Sequence, residues 1–150
     1  MLRVGPHGWW NLYRLDLDAD AARPAGGDAG AEPDGGSDAA MPLWPMDAEF
    51  GLPQWQFGGA SFGFDGDDIV CAYGPAGARR LGRIEAATGR TSTYDLAYTE
   101  IGGVRVADRR AFIVASSPTE SAALVAVDVA TGEERSSCAG RARSSSTRAS

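Results

Sequence analysis

Two segments of this sequence align without a gap, and their spacing limits the possible folds more than any other feature. "LGRIEAATGR" from Leu81 and "LVAVDVATGE" from Leu124 are offset by 43 residues. Each reads as a strand that ends in an acidic residue, Glu85 or Asp128, and continues into Ala-Thr-Gly. The glycine can take the positive φ of a short hairpin, which predicts a turn between the third and fourth strands of a repeated unit. The period fits a four-stranded propeller blade of about 40 to 50 residues.

The opening stretch of the chain joins the same register. "LYRLDLDAD" from Leu12 aligns with the segment from Leu81, 69 residues later, and puts Leu15 and Asp16 in equivalent places. The excess over one period is roughly the length of segment 18–41. "GWWNLYRLDL" is apolar on alternate and intervening positions alike, as expected of a strand packed on both faces. Residues 1–17 are therefore predicted to be part of a first blade.

Short runs rich in β-branched residues, separated by Gly, Pro, Asp or Ser, follow from residue 68 onward. In the last of them, Val125, Val127 and Val129 fall on one face and Leu124 and Asp128 on the other. No window of eleven residues shows helical periodicity. We predict an all-β chain: an incomplete β-propeller of two to three blades of four-stranded antiparallel sheet, with blades over 42–134 and strands at 68–73, 79–85, 90–96, 103–107, 111–116 and 123–130.

Segment 18–41 has a different composition. It contains no Val, Ile, Leu, Phe, Tyr or Trp, so it buries too little apolar area to offset the entropy of ordering. We predict a flexible, acidic surface insertion here. A cation or substrate site is the alternative reading of its carboxylates.

Composition and charge exclude several classes of function. A hydrophobic content of 43% with four Trp, four Tyr and five Phe argues against global disorder. A net charge of −6 argues against binding nucleic acid phosphates or anionic lipid. No run approaches the about 20 apolar residues of a membrane span, and no secretory signal is visible. We expect a cytoplasmic protein with no nucleic acid or membrane partner.

The residues that bind metals and cofactors are scarce. The two cysteines, Cys71 and Cys138, cannot build a disulfide framework, and Cys71 lies in the apolar run "IVCAY", where a thiol behaves as a small buried hydrophobe. The single histidine, His7, has no Cys or Asp at the spacing of metal ligands. We predict no metal site and no cofactor.

Three segments together carry a resemblance to a known family: "GWWNLYRLDL", "PMDAEFGLPQWQFG" and "SPTESAALVAVDVATGE". From about Gly8 to Glu134 the sequence resembles the N-terminal β-propeller of prolyl-oligopeptidase-type serine peptidases, in particular the dipeptidyl aminopeptidase and acylaminoacyl-peptidase relatives. The resemblance implies a propeller that covers the active site of an α/β-hydrolase domain and restricts entry to short peptides. It also implies that the catalytic serine, aspartate and histidine belong to that domain.

No catalytic residue is expected in this chain. His7 lies upstream of every plausible partner, whereas the hydrolase order is Ser, Asp, His. Asp47 and Glu49 in "MDAEFG" are the candidate substrate-binding residues, because a carboxylate facing the propeller cavity could pair with the free amino end of a peptide. The alternative is that they cap the turn or pair with an arginine such as Arg79.

Both ends of the sequence indicate a fragment. Only "MLRVGPH" precedes the first predicted strand, and residues 135–150 carry four Arg and no acidic residue, against ten Arg and twenty acidic residues before them. We predict a disordered basic tail over 135–150, either out of frame or truncated. A genuine basic tail that binds an acidic partner is the alternative.

Two functions remain open at this point. One is the substrate-gating segment of a serine-type peptidase whose catalytic domain is missing here, with this chain inactive by itself. The other is a stand-alone binding or scaffold module. Two or three blades leave exposed the sheet faces that carry Trp9, Trp10, Phe112 and Ile113, through which an oligomer or aggregate could form.

Overall fold

A computed structural model describes residues 2–4, 8–16, 40–52 and 59–137. These residues form eleven strands and no helix, which confirms the prediction of an all-β chain. It follows that no described helix could cross a membrane. The strands are β1 (Leu2–Val4), β2 (Trp10–Leu15), β3 (Ala40–Pro42), β4 (Phe62–Asp65), β5 (Asp68–Tyr73), β6 (Arg80–Ile84), β7 (Thr91–Thr93), β8 (Glu100–Ala107), β9 (Arg110–Ser117), β10 (Glu120–Asp128) and β11 (Glu134–Ser137).

The strands form three sheets that follow one another along the chain. The first has three strands in the order β1-β2-β3, the second has four in the order β4-β5-β6-β7, and the third has four in the order β8-β9-β10-β11. Every pair of neighbours is antiparallel. The blades of a propeller are four-stranded antiparallel sheets of this kind. Within the described residues the sheets do not close into a ring, so the predicted incomplete propeller is confirmed.

The second sheet is buried on both faces. One face packs against the third sheet, and its buried residues are Val70, Ala72 and Leu81. The other face packs against the first sheet and the segment after it, and its buried residues are Ile69, Cys71, Tyr73 and Ile84. Burial of one such aliphatic side chain contributes about 1.5–3 kcal/mol. These two interfaces hold the three sheets together.

The predicted hairpins are present between the third and fourth strands of the second and third sheets. Gly89 has a φ of 68° and Gly132 a φ of 76°, and each donates its N–H to the carbonyl of the acidic residue four positions earlier, at 2.8 Å. Asp128 Oδ1 also accepts the N–H groups of Ala130 and Thr131 at 2.9 Å. The acidic residue of the repeat therefore closes the turn from both its carbonyl and its carboxylate.

The first sheet explains the longer spacing of its repeat. β2 aligns with β6 and β10, and it pairs with β3 as they pair with their own fourth strands. The segment between β2 and β3 thus replaces the short Ala-Thr-Gly hairpin. β3 begins at Ala40, inside the predicted insertion 18–41, and β11 runs past residue 134, where the blades were predicted to end. The rest of the insertion and of the basic tail lies outside the described residues.

The open face of the third sheet differs in part from the sequence prediction. Val125, Val127 and Val129 share one face as predicted, and that face is buried, whereas Leu124 on the opposite face is 48% exposed. Ile113 was expected on an open face and is buried, whereas its neighbour Val114 is exposed. The reason is strand alternation, which turns Ile113 toward the second sheet.

The other aromatic residues expected on open faces are accessible to different degrees. Trp10 in the first sheet and Trp9 just before it are exposed, and Phe112 in the third sheet is half-buried. Trp10 starts β2, where its backbone carbonyl is held by the segment that follows the sheet. An open apolar face is therefore present at both ends of the described fold.

Candidate functional site

Three connections meet at one end of the sheets. They are segment 43–52 after β3, the β5–β6 connection 74–79 and the β7–β8 connection 94–99. They leave from the same end because neighbouring antiparallel strands alternate in direction. Gly74 N–H donates to the carbonyl of Glu49 at 2.9 Å, and Arg79 N–H donates to the carbonyl of Thr99 at 2.9 Å. The "MDAEFG" segment is thereby joined to the second sheet.

Asn11 of the "WWNLY" motif holds segment 43–52 on the first sheet. It is buried, its Oδ1 accepts the N–H of Met46 at 3.2 Å, and its Nδ2 donates to the carbonyl of Trp9 at 3.3 Å. The N–H of Phe50 also donates to the carbonyl of Trp10 at 2.8 Å. Two of the three segments that carry the family resemblance therefore form one structural unit.

An aromatic cluster underlies this unit. Trp44, Phe50 and Tyr73 have ring centroids 4.9–5.9 Å apart. A Cβ added at Gly82 in β6 would lie 2.7 Å from Cζ3 of Trp44, so only glycine lets the indole approach the strand this closely. The cluster fixes the base of the segment that carries Glu49.

Glu49 lies half-buried in a tight turn. Its Oε1 accepts the N–H of Gly51 at 2.8 Å. A Cβ at Gly51 would lie 2.7 Å from that same oxygen and 3.3 Å from Cβ of Trp10, so a side chain at this position would displace the Glu49 carboxylate. Among the described residues, Oε2 of Glu49 accepts no hydrogen bond. The turn-capping alternative is thus present in the structure, and it occupies one of the two carboxylate oxygens.

The structure does not bring Asp47 into this cluster. Its side chain is exposed, and the described residues give it no hydrogen bond or ion pair. Of the two residues singled out in the sequence, only Glu49 lies beside the buried polar groups of this site.

Arg79, the alternative ion-pair partner predicted for Asp47 and Glu49, lies against the Glu49 turn. It is 8% exposed. Its Nη1 and Nη2 donate to the carbonyl of Gly51 at 3.3 and 3.4 Å, and Nη2 also donates to the carbonyl of Ala72 at 3.2 Å. Burial lowers the pKa of Arg79, and the carboxylates of Glu100 and Glu49 oppose that shift. The ion pair between the described residues is Arg83–Asp68, so Arg79 binds the backbone of the Glu49 turn and does not neutralise its carboxylate directly.

A cleft of about 290 Å³ opens beside Arg79. It lies between the β5–β6 and β7–β8 connections and is lined on one side by residues 77–80 and on the other by residues 94–99. Glu100 borders this region, where its Oε1 accepts the N–H of Gly77. The cleft therefore combines cationic, anionic and aromatic groups around a backbone that is largely hydrogen-bonded.

One serine in the chain matches the Gly-x-Ser-x-Gly pattern of a hydrolase nucleophile, Ser61 in residues 59–63. A nucleophile elbow is a sharp turn from a strand into a helix with the serine exposed. Ser61 instead directly precedes β4, which continues as a strand, and it is 4% exposed. Its carbonyl accepts the N–H of Ala72 at 2.7 Å. The pattern is therefore part of a blade edge and has no elbow geometry.

Outside this site, the buried Cys71 has a structural role. Cys71 is fully buried, its Sγ lies 3.8 Å from the carbonyl of Gly82, and burial raises the pKa of its thiol to about 12. The predicted role as a small buried hydrophobe is confirmed. Within residues 2–4, 8–16, 40–52 and 59–137, no three His, Cys, Asp or Glu side chains cluster closely enough to hold a metal ion. Cys138 and His7 lie outside the described residues.

Comparison with known proteins gives matches among solved structures. A puromycin-hydrolyzing peptidase of Mycobacterium tuberculosis superposes with a TM-score of 0.66 at 24% identity, over 85% of this chain and 17% of that one. A puromycin hydrolase superposes with a TM-score of 0.65 at 27% identity, over 91% of this chain and 20% of that one. A mutant of that hydrolase complexed with PGG gives the same values. Comparison with protein-family models and with curated proteins gives no match.

The chain resembles the β-propeller of prolyl-oligopeptidase-type serine peptidases. The resemblance predicted from the sequence is thus confirmed by the superposition of 85–91% of the chain on these peptidase structures. This propeller segment spans about a fifth of the length of the solved structures it matches. Within it, the Glu49 turn, Arg79 and the adjoining cleft form the polar site that the described residues offer.

Proposed function

We propose that this chain is the substrate-gating propeller segment of a serine-type peptidase that acts on short peptides. The observation that carries the proposal is the superposition of 91% of the chain on a puromycin hydrolase at 27% identity. In this function the propeller admits short substrates to a hydrolase domain that supplies the nucleophile, the base and the oxyanion donors. The peptide is the proposed partner, and the cytoplasm is the proposed compartment.

We further propose that Glu49 binds the free amino end of the substrate. A carboxylate oxygen and an ammonium group form a charge-assisted hydrogen bond, which is about twice as strong as a neutral one. Two features of the structure support this role. Oε1 of Glu49 is fixed by Gly51, and Oε2 has no hydrogen-bond donor among the described residues. One carboxylate can therefore cap its turn and still accept a hydrogen bond from a ligand.

Puromycin tests this role because it carries a free α-amino group next to the amide that hydrolysis would cleave. In the peptidase that contains this segment, Glu49→Gln should raise KM for puromycin by about tenfold, the scale of one charge-assisted hydrogen bond. N-acetylpuromycin lacks the ammonium group and should show an unchanged KM. Asp47→Asn is the matched control and should leave both substrates unaffected. An equal rise in KM for both substrates in Glu49→Gln would show that Glu49 does not bind the amino group.

The stand-alone module remains a second candidate, and the open face around Val114 and Leu124 is the observation that favours it. An exposed apolar face of this kind is typical of a site that contacts a second surface. Size-exclusion chromatography with light scattering separates the two functions. A discrete oligomer of the purified chain would favour a module, whereas aggregation or proteolysis would favour the peptidase segment.

A further inference from the structure

Arg79 occupies a position that is costly for a charged side chain. It is 8% exposed and stands just before the third strand of the second sheet. A buried guanidinium is tolerated only where hydrogen-bond acceptors or opposite charges compensate for its lost hydration. Its Nε has no hydrogen-bond partner among the described residues. The remaining bonds of Arg79 must therefore account for its burial.

Those bonds converge on one backbone group of the Glu49 turn. Both terminal nitrogens donate to the carbonyl of Gly51, and Nη2 also holds the carbonyl of Ala72 in β5. The guanidinium is a planar, rigid donor group, and its hydrogen bonds thus join the turn to the second sheet. Lysine offers a single flexible ammonium in place of this fork.

One further hydrogen bond ties the same turn to the second sheet, and another closes the turn itself. Gly74 donates its N–H to the carbonyl of Glu49, and Gly51 donates its N–H to Oε1 of Glu49. Gly51 therefore accepts a hydrogen bond from Arg79 through its carbonyl and fixes the Glu49 carboxylate through its N–H. A shift of this one peptide segment would move the carboxylate.

We infer that Arg79 is a positioning residue, which holds the Glu49 turn through the Gly51 carbonyl and so sets the selectivity of the peptidase for substrates with a free amino group. The inference rests on the proposed function, in which Glu49 meets that amino group. Arg79 itself contacts neither the ammonium group nor the scissile bond in this arrangement. Its substitution should therefore change substrate binding and leave the chemical step intact.

The test uses Arg79→Lys in the peptidase that contains this segment. Arg79→Lys should raise KM for puromycin by about tenfold with kcat unchanged, since it loosens one charge-assisted contact. KM for N-acetylpuromycin should stay within twofold of the unsubstituted enzyme. Arg90→Lys, in the exposed β6–β7 hairpin, is the matched control and should change neither value. An equal change for both substrates, or no change, would overturn the inference.

The double variant separates this inference from the proposed function. In a Glu49→Gln background, Arg79→Lys should have no further effect on the KM of puromycin, because both substitutions act through one carboxylate. If Glu49→Gln discriminates the two substrates but Arg79→Lys acts independently of it, only the inference fails. If Glu49→Gln changes KM equally for the two substrates, the proposal that Glu49 binds the amino group is wrong.

A second variant keeps the test valid if Arg79 variants do not fold. Gly51→Ala leaves Arg79 in place, but its Cβ would lie 2.7 Å from Oε1 of Glu49 and would displace the carboxylate. It should reproduce the selective rise in KM for puromycin. A Gly51→Ala enzyme that folds, as judged by circular dichroism, and retains the original KM ratio would contradict the positioning role.

Discussion

The hydroxyl of Tyr94, in the connection between the second and third sheets, donates a hydrogen bond of 2.7 Å to the backbone carbonyl of Val129, directly after β10. Nη1 of Arg83 reaches the same carbonyl at 3.4 Å. One side chain of the second sheet and one of the connection that follows it thus donate hydrogen bonds to the same backbone carbonyl next to the third sheet. This contact joins two blades near the edge of their shared core.

Removal of that hydroxyl should weaken the contact between the blades. Tyr94→Phe keeps the ring and should lower the free energy of unfolding by about 1 kcal/mol, the usual net contribution of one hydrogen bond. Urea denaturation followed by circular dichroism measures the change. An unchanged midpoint would show that water satisfies the Val129 carbonyl equally well.

The stability of the unsubstituted chain and that of Tyr94→Phe should depend differently on pH above pH 10. Burial raises the pKa of Tyr94 to about 12 from its ordinary value of 10.0. Because the folded-state pKa is raised, the stability that Tyr94 contributes is complete below pH 10 and is lost as the pH rises toward 12. The unsubstituted chain should therefore lose more stability than Tyr94→Phe over this interval. Parallel losses would contradict the assignment.

Leu81 and Leu124 form a matched pair for core packing. They occupy the same position of the repeat, but Leu81 is 0% exposed beneath the third sheet and Leu124 is 48% exposed. Leu81→Ala should destabilise the chain by about 2–5 kcal/mol, whereas Leu124→Ala should cost less than about 1 kcal/mol. Thermal denaturation of the two variants measures the difference. Similar losses would mean that the face around Leu124 is covered in solution.

The Asp68–Arg83 ion pair should make stability fall in acid. Nη2 of Arg83 lies 2.6 Å from Oδ2 of Asp68, and the N–H of Ala86 donates to Oδ1 at 3.0 Å. The hydrogen bond from Arg83 and then that from Ala86 hold the pKa of Asp68 below its ordinary value of 3.8. A lowered folded-state pKa gives stability that is present above pH 3.8 and is lost as the pH falls through the folded-state value.

Asp68→Asn should therefore cost about 1 kcal/mol at neutral pH. This deficit should shrink as the pH falls below 3.8, because the unsubstituted chain then loses the same interaction. Asp67→Asn, at the exposed neighbouring position, serves as the control. Denaturation curves between pH 2 and 7 provide the measurement, and a deficit independent of pH would rule out the carboxylate as its source.

The thiol of Cys71 should be inert in the folded chain. It is fully buried, and its pKa of about 12 keeps it protonated at neutral pH, while the thiolate is the reactive form. In a Cys138→Ser background, Ellman's reagent at pH 8 should find no accessible thiol until guanidinium chloride unfolds the protein. Rapid labelling without denaturant would show that the interface between the first and second sheets opens readily.

The purified 150-residue chain should not hydrolyse aminoacyl or dipeptidyl chromogenic substrates, and a fluorophosphonate probe should not label it. Acyl transfer needs a nucleophile, a base in hydrogen-bond reach and oxyanion donors. The sequence has one histidine, His7, and the serine in a Gly-x-Ser-x-Gly pattern, Ser61, is buried before a strand. Labelling that Ser61→Ala abolishes, or turnover that survives His7→Ala, would reveal an unrecognised nucleophile.

Local sequence rules predicted several strands but missed others. β5 was predicted at its observed bounds because "DIVCAY" is a continuous β-branched and apolar run between turn signals. β4 was missed because "FGFD" reads as an aromatic and glycine-rich loop. Gly63 in β4 is explained by the third sheet, since a Cβ there would lie 2.9 Å from Cγ2 of Val106. β3 was missed because its Ala-Met-Pro sequence has no strand signal apart from its pairing with β2.

The candidate site was predictable to a smaller extent. Asp47 and Glu49 were both predicted to bind substrate because each is a carboxylate, and nothing in their local sequence distinguishes them. Arg79 was named only as a possible ion-pair partner, and its bonds to Gly51 and Ala72 join residues 28 and 7 positions apart. Such contacts depend on how two connections approach each other, which periodicity does not encode.

By itself, the sequence determined the all-β class, the period of the blades and the hairpins of Gly89 and Gly132, because strand alternation and positive-φ turns are properties of a few adjacent residues. Tertiary structure alone decided which equivalent leucine is buried and which carboxylate lies beside Arg79. Burial and electrostatic surroundings arise from neighbouring sheets that are distant in sequence. Leu81 and Leu124 share a repeat position, yet only Leu81 has a sheet packed over it.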